Sequence, residues 1–242
     1  MISIITTCYN REAYLGGAIQ SVLDQTFKDF ELIVWDDGST DNTVAIAQAY
    51  AARDRRIKVI AASHQGCVKA LKDAIAHSTG EYFGCVDSDD YLASTCLEQT
   101  KRILDIYGDV GVVYTWYAQV DALDNVLGLG HRCYVPFSKE RMLTSHITFH
   151  FRLIRRNVYD AVGGLNERYD YSSDYDLCLR LSEVTEFYQL QRLLYFHRNH
   201  PFNMTNNSNG KQAMHAMQAI NDALQRRGLD YSFILNLANR ED

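Results

Sequence analysis

The first half of the chain alternates between two hydrophobic patterns, and this alternation restricts the fold more than any other feature of the sequence. Short apolar runs typical of β-strands are followed by segments whose apolar residues recur at helical spacing. The predicted strands are 2–7, 31–35, 56–61, 81–86 and 110–116, and the predicted helices are 11–26, 43–53, 67–77 and 94–107. The short connections predict an α/β fold with a doubly wound, mostly parallel sheet flanked by helices.

The rest of the chain is less regular but shows no sign of a domain boundary. Its predicted elements are a strand at 149–154, a helix at 173–183, one or two strands within 187–197 and a helix at 211–227. The chain has 242 residues, of which 47% are hydrophobic, and it contains two prolines and no Gly/Ser-rich linker. One domain with a substantial core is therefore expected.

Capping residues and loops give two finer expectations. Asn10 is predicted to cap the first helix, and Thr95 with Glu98 is predicted to form a capping box at the fourth. One of the two loops 128–145 and 199–210 is predicted to close over a bound ligand, because neither has a strong apolar period.

The charge of the chain excludes one class of partner. A formal net charge of −6 argues against a nucleic-acid partner, which requires a basic face. No apolar run approaches the roughly 20 residues of a transmembrane helix, and no basic leader precedes the first strand. Six cysteines without a C-x-x-C pair are expected to be buried reduced thiols. We expect a cytoplasmic protein, which is compatible with peripheral association at the inner membrane surface.

An acidic motif, Asp87-Ser88-Asp89, follows the apolar strand that ends at residue 86. Residues i and i+2 of an extended segment point the same way, so the two carboxylates can converge on one divalent cation. Hard oxygen ligands suit Mg²⁺ or Mn²⁺. The motif alone leaves open a plain acidic turn in which Asp90 or Ser94 caps the next helix.

A second acidic motif starts with Asp36-Asp37-Gly38 at the end of another predicted strand. Taken alone it is a polar turn, in which Asp41 and Asn42 cap the next helix. A pair of aspartates at the end of a buried strand also suits hydrogen bonds to a nucleobase or ribose. In doubly wound sheets, ligands bind at the carboxyl ends of the strands.

Four segments together resemble the family 2 glycosyltransferases of GT-A fold: 4–10, 21–26, 31–41 and 80–90, in that order. The resemblance runs from residue 2 to about residue 92 and resumes over 150–181. It implies a metal-dependent, inverting transfer of a sugar from a nucleotide-diphospho-sugar to a hydroxyl of a glycan or lipid-linked acceptor. It also implies a GT-A domain over 1–228, followed by a tail over 229–242. Within the domain it implies a nucleotide-sugar-binding half (1–116), an acceptor half (117–208) and a C-terminal helix (209–228).

The resemblance assigns roles on the donor side. Thr7 and Tyr9 are expected to line the nucleobase pocket, with Arg11 close by. Asp37 is expected to accept a hydrogen bond from the base; because uracil offers an N3–H and cytosine does not, a uridine donor is predicted, with guanosine as the alternative. Asp87 is expected beside the ribose and donor sugar.

The metal and the acceptor side complete this assignment. The resemblance implies that Asp89 holds Mn²⁺ or Mg²⁺ against the diphosphate. It matches Asp174 to the general base, although Ser173 replaces the usual first acid, and Asp176 is the reserve candidate. Without the resemblance, Asp174 could be an ordinary acid in the first turn of a helix. His197 or His200 could reach the metal or the diphosphate.

The chain also departs from the family pattern, and other functions stay open. Lys72 stands where the third helix usually has Asn, which puts donor contacts from that helix in doubt. Haloacid dehalogenase-type phosphotransferases also use a D-x-D motif, but Tyr91 does not fit their pattern. Sugar nucleotidyltransferases need a Gly-rich N-terminal loop that is missing here. The main alternative is a non-catalytic donor-binding or scaffold protein, because Ser173 replaces an acid.

Overall fold

The computed structural model describes residues 1–201, 203, 210–232 and 234, and its first part follows the predicted alternation of strands and helices. The elements are β1 (Ile2–Cys8), α1 (Leu15–Leu23), β2 (Phe30–Asp36), α2 (Thr43–Ala51), β3 (Ile57–Ala61), α3 (Cys67–Ala76), β4 (Tyr82–Cys85), β5 (Tyr91–Leu92), α4 (Cys96–Ile106) and β6 (Val110–Val120).

The second part contains β7 (Val126–Leu129), β8 (Arg152–Arg155), α5 (Arg156–Ala161), α6 (Ser173–Val184), β9 (Glu186–Arg198) and α7 (Lys211–Arg226). Three short 3-10 helices, His131–Tyr134, Arg141–Leu143 and Glu167–Tyr169, lie in the connections. The predicted loop 128–145 thus begins inside β7 and holds two of these helices. Residues 202 and 204–209 of the other predicted loop lie outside the described residues.

The strands in the described ranges form one nine-stranded sheet. Its order is β3-β2-β1-β4-β8-β6-β9-β5, and β7 pairs with β6. The first four strands in this order are parallel to one another, β8 is antiparallel to both β4 and β6, and β6 is parallel to β9. β1 to β4, β6 and β9 therefore run in one direction, which confirms the predicted mostly parallel sheet.

Helices cover both faces of the sheet, because successive strand residues point to opposite faces. In β1, Ile4 packs in a cluster with the apolar residues of α1, α2 and α4, and Ile5 packs in a cluster with those of α3, α6 and α7. β2 repeats the alternation with Leu32 and Ile33. The predicted doubly wound arrangement is confirmed, and no helix in the described ranges is both long and apolar enough to cross a membrane.

Both capping predictions were wrong, because tertiary contacts satisfy the polar groups instead. α1 begins after Tyr14, and Asn10 has a φ of 51° and accepts a hydrogen bond from the Thr40 backbone N–H at 2.8 Å. Asparagine tolerates this left-handed conformation better than most residues. At α4, the Glu98 carboxylate accepts a hydrogen bond from the Thr26 hydroxyl at 2.7 Å rather than turning back to cap the helix.

A buried carboxylate links three parallel strands near their amino ends. Glu31 in β2 accepts hydrogen bonds from the Ser3 hydroxyl at 2.7 Å, the Thr79 backbone N–H at 2.6 Å and the Lys58 ammonium at 2.7 Å. Burial alone would raise the pKa of Glu31, but these donors outweigh burial and lower its pKa to about 2. The ionised form is therefore stabilised in the folded chain.

Candidate active site

The carboxyl ends of β1, β2 and β4 meet at one edge of the sheet, because the three strands are parallel and adjacent. Three polar segments follow these ends: Tyr9 to Arg11 after β1, the Asp37 turn after β2 and the D-x-D segment after β4. Thr7, inside β1, is half-buried. This edge is where doubly wound sheets bind their ligands.

Asp37 is fixed by the loop that leads into α3. Its buried carboxylate accepts backbone hydrogen bonds from Gln65 at 2.9 Å and from Gly66 at 3.0 Å. His64 Nδ1 lies 2.9 Å from Oδ2 of the same carboxylate. In the described part of the chain, Oδ1 receives one hydrogen bond, so it keeps acceptor capacity for a ligand N–H.

The close approach of this loop depends on Gly38. Its φ is 82°, and a Cβ at this position would lie 2.8 Å from the His64 backbone nitrogen. A side chain here would therefore combine backbone strain with a steric clash. The glycine allows the turn after β2 to touch the residue before Gln65, and the Asp37 hydrogen bonds depend on that contact.

Two rings lie beside the Asp37 carboxylate. The Tyr9 and His64 ring centroids are 4.5 Å apart with a tilt of 32°, and Tyr9 is largely exposed. A planar heterocycle can stack on an exposed ring and donate a hydrogen bond to the buried acceptor beside it. His64 was not predicted as a site residue, although it lies in the sequence just before Gln65 and Gly66, which precede α3.

The D-x-D segment is anchored by the C-terminal strand β9. Asp90 is 1% exposed and accepts hydrogen bonds from the Tyr195 hydroxyl at 2.7 Å and the Arg198 backbone N–H at 2.8 Å. His197 Nδ1 lies 3.4 Å from the same carboxylate. Asp90 therefore holds the loop to β9 and does not cap the following helix, whose N-cap is Thr95.

Asp89 faces two nitrogen-bearing side chains. His200 Nε2 lies 2.9 Å from Asp89 Oδ2, and Arg11 Nε lies 3.5 Å from the same oxygen. Two ligand atoms that each lie about 2.1 Å from one ion at right angles are about 3.0 Å apart. The Asp89 and His200 atoms thus have the spacing of two neighbouring ligands of a small divalent cation.

Asp87 lies between Asp89 and the acceptor side. Its carboxylate is half-exposed and lies 3.6 Å from His150 Nε2. Enclosure by the surrounding protein and the charges of Asp90 and Asp89 raise the pKa of Asp87 above its usual range. This accumulated negative charge favours a cation. The described residues contain no group of three or more His, Cys, Asp or Glu side chains arranged to hold a metal ion.

Asp174, in the first turn of α6, is half-exposed and held by a buried cation. Arg152 donates to Asp174 Oδ2 at 3.0 Å, and the Arg152 side chain is 8% exposed. His146 Nδ1 lies 3.8 Å from the same oxygen, and the Tyr175 backbone N–H donates to Oδ1 at 2.9 Å. The carboxylate is therefore oriented by both its own helix and β8.

The charge state of Asp174 follows from these neighbours. Burial alone would raise the pKa of Asp174, but the neighbouring His146, Arg152 and His150 side chains, with a hydrogen bond from Arg152, hold it well below its usual range. Burial also lowers the pKa of His146 to about 3, so that ring is neutral near pH 7 and Arg152 is the main charge. Asp174 is thus ionised and a weak base in the free protein.

The reserve candidate, Asp176, has a different environment. Its carboxylate is 1% exposed and accepts hydrogen bonds from Arg180 Nε at 3.0 Å and from a second guanidinium nitrogen at 2.6 Å. Arg180 also donates to the Val162 carbonyl at 2.6 Å. Asp176 therefore belongs to a buried ion pair inside α6 and does not face the open cleft.

Cys67, the first residue of α3, lies near three aspartates. Its residue surface is exposed, which corrects the expectation that the cysteines are buried. Enclosure in the cleft and the charges of nearby carboxylates raise the pKa of the Cys67 thiol to about 12. These carboxylates are Asp87, Asp174 and Asp37. The three aspartates therefore lie close enough to this residue for their charges to act on its thiol.

The chain is similar to known proteins over most of its length. The sequence pattern of the family described as Glycosyl transferase family 2 matches residues 3–163. Hyaluronan synthase of Pasteurella multocida is 29% identical over 96% of this chain and 24% of that protein. Chondroitin synthase of Escherichia coli is 30% identical over 98% of this chain and 35% of that protein. The chain thus spans about a quarter to a third of the length of these curated relatives.

Solved structures share its fold. The TarS 1-349 fragment of S. aureus in complex with UDP-GlcNAc has a TM-score of 0.71 and 22% identity, covering 82% of this chain and 58% of that one. The mannosyltransferase PcManGT from Pyrobaculum calidifontis, in complex with GDP-Man and Mn²⁺, has a TM-score of 0.69 and 16% identity, covering 93% and 64%. This likeness shows that the fold is of the predicted GT-A type, and the family match shows that the chain belongs to glycosyl transferase family 2.

Proposed function

We propose that this chain transfers a sugar from a nucleotide-diphospho-sugar to an acceptor hydroxyl with inversion at the anomeric carbon. The observation that carries the proposal is that one segment joins the two acidic groups: His150 lies 3.6 Å from Asp87, and Arg152, two residues later, donates to Asp174 at 3.0 Å. Family membership and the sugar-nucleotide complexes of two proteins of the same fold support it.

The donor base is proposed to be uracil. Asp37 Oδ1 retains acceptor capacity for the N3–H of uracil, and the Tyr9 ring offers an exposed face beside it. Cytosine would place an acceptor against this carboxylate, which is unfavourable. Guanine offers an N1–H but is larger, so it is the alternative; both UDP-GlcNAc and GDP-Man occur in the structures of similar fold. Calorimetry showing tighter binding of GDP than of UDP would overturn this choice.

A divalent cation is proposed to be held by Asp89 and His200, with Mn²⁺ or Mg²⁺ as candidates. The pair has suitable spacing, and its carboxylate oxygen suits Mn²⁺ or Mg²⁺. When bound, the ion neutralises charge on the leaving nucleoside diphosphate. Arg11, 3.5 Å from Asp89, adds a fixed positive charge on the same side.

Asp174 is proposed to remove the proton from the acceptor hydroxyl as that oxygen attacks the sugar. A single in-line displacement requires a base on the side opposite the leaving diphosphate, and it converts an α-linked donor into a β-linked product. Arg152 orients the carboxylate and keeps it ionised. Because Asp174 is a weak base in the free protein, proton transfer is expected in the transition state, once the hydroxyl has become more acidic.

The test separates a transferase from a non-catalytic donor-binding protein. The chain is first screened by thermal shift against UDP, GDP and their sugars, with and without Mn²⁺; a ligand at 100 times its dissociation constant adds about 2.7 kcal/mol. Turnover, including slow hydrolysis of the donor, is then measured with the donor that binds. Donor binding without transfer or hydrolysis would favour the scaffold alternative and contradict the proposed catalysis.

A further inference from the structure

Arg132, in the first 3-10 helix (His131–Tyr134), lies beside the acceptor side of the site. Its guanidinium carbon is 4.9 Å from the centroid of the Phe149 ring. Phe149 in turn contacts the His150 ring, with the centroids 5.1 Å apart. His150 is the residue that lies 3.6 Å from Asp87. Two rings therefore connect the Arg132 cation to the D-x-D segment.

The position of Arg132 relative to the candidate base follows from its neighbours. Phe149, which Arg132 contacts, belongs to the segment 146–152, and the His146 and Arg152 side chains of this segment lie 3.8 Å and 3.0 Å from the Asp174 carboxylate. The Arg132 charge also contributes to the low pKa of His146, whose main cause is burial. Donor-side Arg11 instead lies beside Asp89. Arg132 therefore lies beside the segment that holds Asp174, whereas Arg11 lies beside Asp89.

The Arg132 guanidinium has no acidic partner among the residues that the structure describes. It is half-buried, and within those residues its side chain makes a cation–π contact and no hydrogen bond or ion pair. The buried or half-buried guanidinium groups of Arg152, Arg180 and Arg198 all bind a carboxylate. A partly buried guanidinium with five N–H donors and no acceptor is unfavourable, and an anionic ligand would relieve it.

We infer that Arg132 binds an oxyanion on the acceptor, so that the acceptor belongs to the acidic glycans or phosphate-bearing saccharides. The inference rests on the proposed function and narrows its acceptor class. Phe149 holds the guanidinium in one position before the acceptor arrives, which reduces the conformational entropy lost on binding. A carboxylate or phosphate suits a guanidinium because both can accept two parallel hydrogen bonds.

The experiment measures binding of three probes to protein saturated with UDP and Mn²⁺, by NMR titration. The probes are methyl β-D-glucuronide, methyl β-D-glucoside and glucose 6-phosphate, so that carboxylate, neutral and phosphate forms of one sugar are compared. Loss of a charge-assisted hydrogen bond corresponds to about 1.5–3 kcal/mol, or roughly a 10- to 150-fold change in affinity. We expect the wild type to bind at least one anionic probe about 10-fold or more tightly than the neutral one, and Arg132→Met to remove that preference.

Two control variants make the result specific. Arg55→Met removes an exposed arginine two residues before β3, near the amino ends of the strands and away from the site, and should keep the preference. Arg132→Lys should retain part of it, because the charge remains without the planar fork. Whichever of the two anionic probes binds more tightly indicates whether the acceptor carries a uronate or a phosphate.

The outcomes also separate this inference from the proposed function. Equal binding of anionic and neutral probes by the wild type, or a preference that persists in Arg132→Met, overturns the role of Arg132. A weaker interaction with UDP in Arg132→Met would place the residue on the donor side and also overturn the inference. Failure of transfer or donor hydrolysis, measured separately, overturns the proposed function while leaving the binding result interpretable.

Discussion

Substitutions at Asp174 and Asp176, two residues apart on α6, should separate an effect on catalysis from an effect on stability. Asp176→Asn leaves the buried Arg180 guanidinium without its counter-charge, since Asp176 is 1% exposed and accepts two hydrogen bonds from it. Removing one partner of a buried pair costs about 3–5 kcal/mol. For a chain of this size, each kcal/mol lowers the melting temperature by about 2–4 °C, so a decrease of about 6–20 °C is expected.

The same change at Asp174 should act mainly on turnover. Its carboxylate is 46% exposed, so water can replace part of the lost interaction, and the amide oxygen of the substituted side chain would still accept a hydrogen bond from Arg152. A half-exposed pair of this kind is worth about 1 kcal/mol or less, which corresponds to a melting shift of about 4 °C or less. Loss of a positioned base lowers turnover by about 10²- to 10⁴-fold.

Thermal denaturation with and without UDP and Mn²⁺, together with steady-state transfer assays, measures both effects. We expect Asp174→Asn to bind UDP and Mn²⁺ like the wild type and to lose nearly all transfer. Asp176→Asn should melt earlier and, below its melting temperature, retain measurable transfer. The reasoning is refuted if Asp176→Asn melts normally but is inactive while Asp174→Asn is active. Retention of the anomeric configuration in the product would contradict the whole mechanism.

Three further outcomes are expected. Asp89→Ala should remove the Mn²⁺-dependent thermal stabilisation by UDP without unfolding the chain; a full stabilisation in this variant would exclude Asp89 as a ligand. The folded-state pKa of Glu31 is lowered from 4.5 to about 2, so its stabilising contribution is complete above pH 4.5 and is lost as the pH falls towards 2. Between pH 5 and pH 3, the free energy of unfolding measured in urea should decrease more for the wild type than for Glu31→Gln. Equal decreases in the two proteins would contradict this. Gly130→Ala would place a Cβ in steric collision with the Tyr117 ring and should cost about 1–3 kcal/mol in urea unfolding, whereas Gly17→Ala, with nothing within 4 Å, should be neutral or stabilising.

Local patterns were sufficient to predict the parallel core and its polar edge. The apolar runs located β1, β2 and β4, and their parallel pairing brings Tyr9, Asp37 and Asp87 to one edge, as expected. Contacts between distant residues were not predictable in this way. The spacing of apolar residues does not reveal that β8 inserts antiparallel between β4 and β6. The helix α5 has only six residues, which is too short to show a helical spacing of apolar residues.

The side-chain partners of the site show the same limit. Asp89 and His200 are 111 positions apart, and the sequence left open whether His197 or His200 reaches this region. The cap predictions failed because Thr26 and Thr40 offered tertiary partners that compete with local ones. His64 was overlooked because a ring beside Tyr9 becomes visible only when the loop before α3 folds against Gly38.

The anchoring of Asp90 by β9 has a consequence for the order in which the protein forms. Asp90 is made about a hundred residues before the Tyr195 and Arg198 groups that donate to it, so a nascent chain that ends before β9 lacks those donors. β9 also pairs with β6, from which it is separated by more than 60 positions in the sequence. Pairs of strands that are so far apart in the sequence form slowly, because the conformational entropy of the long intervening loop must be lost first. The D-x-D segment is therefore expected to reach its anchored position late, after synthesis has passed residue 198.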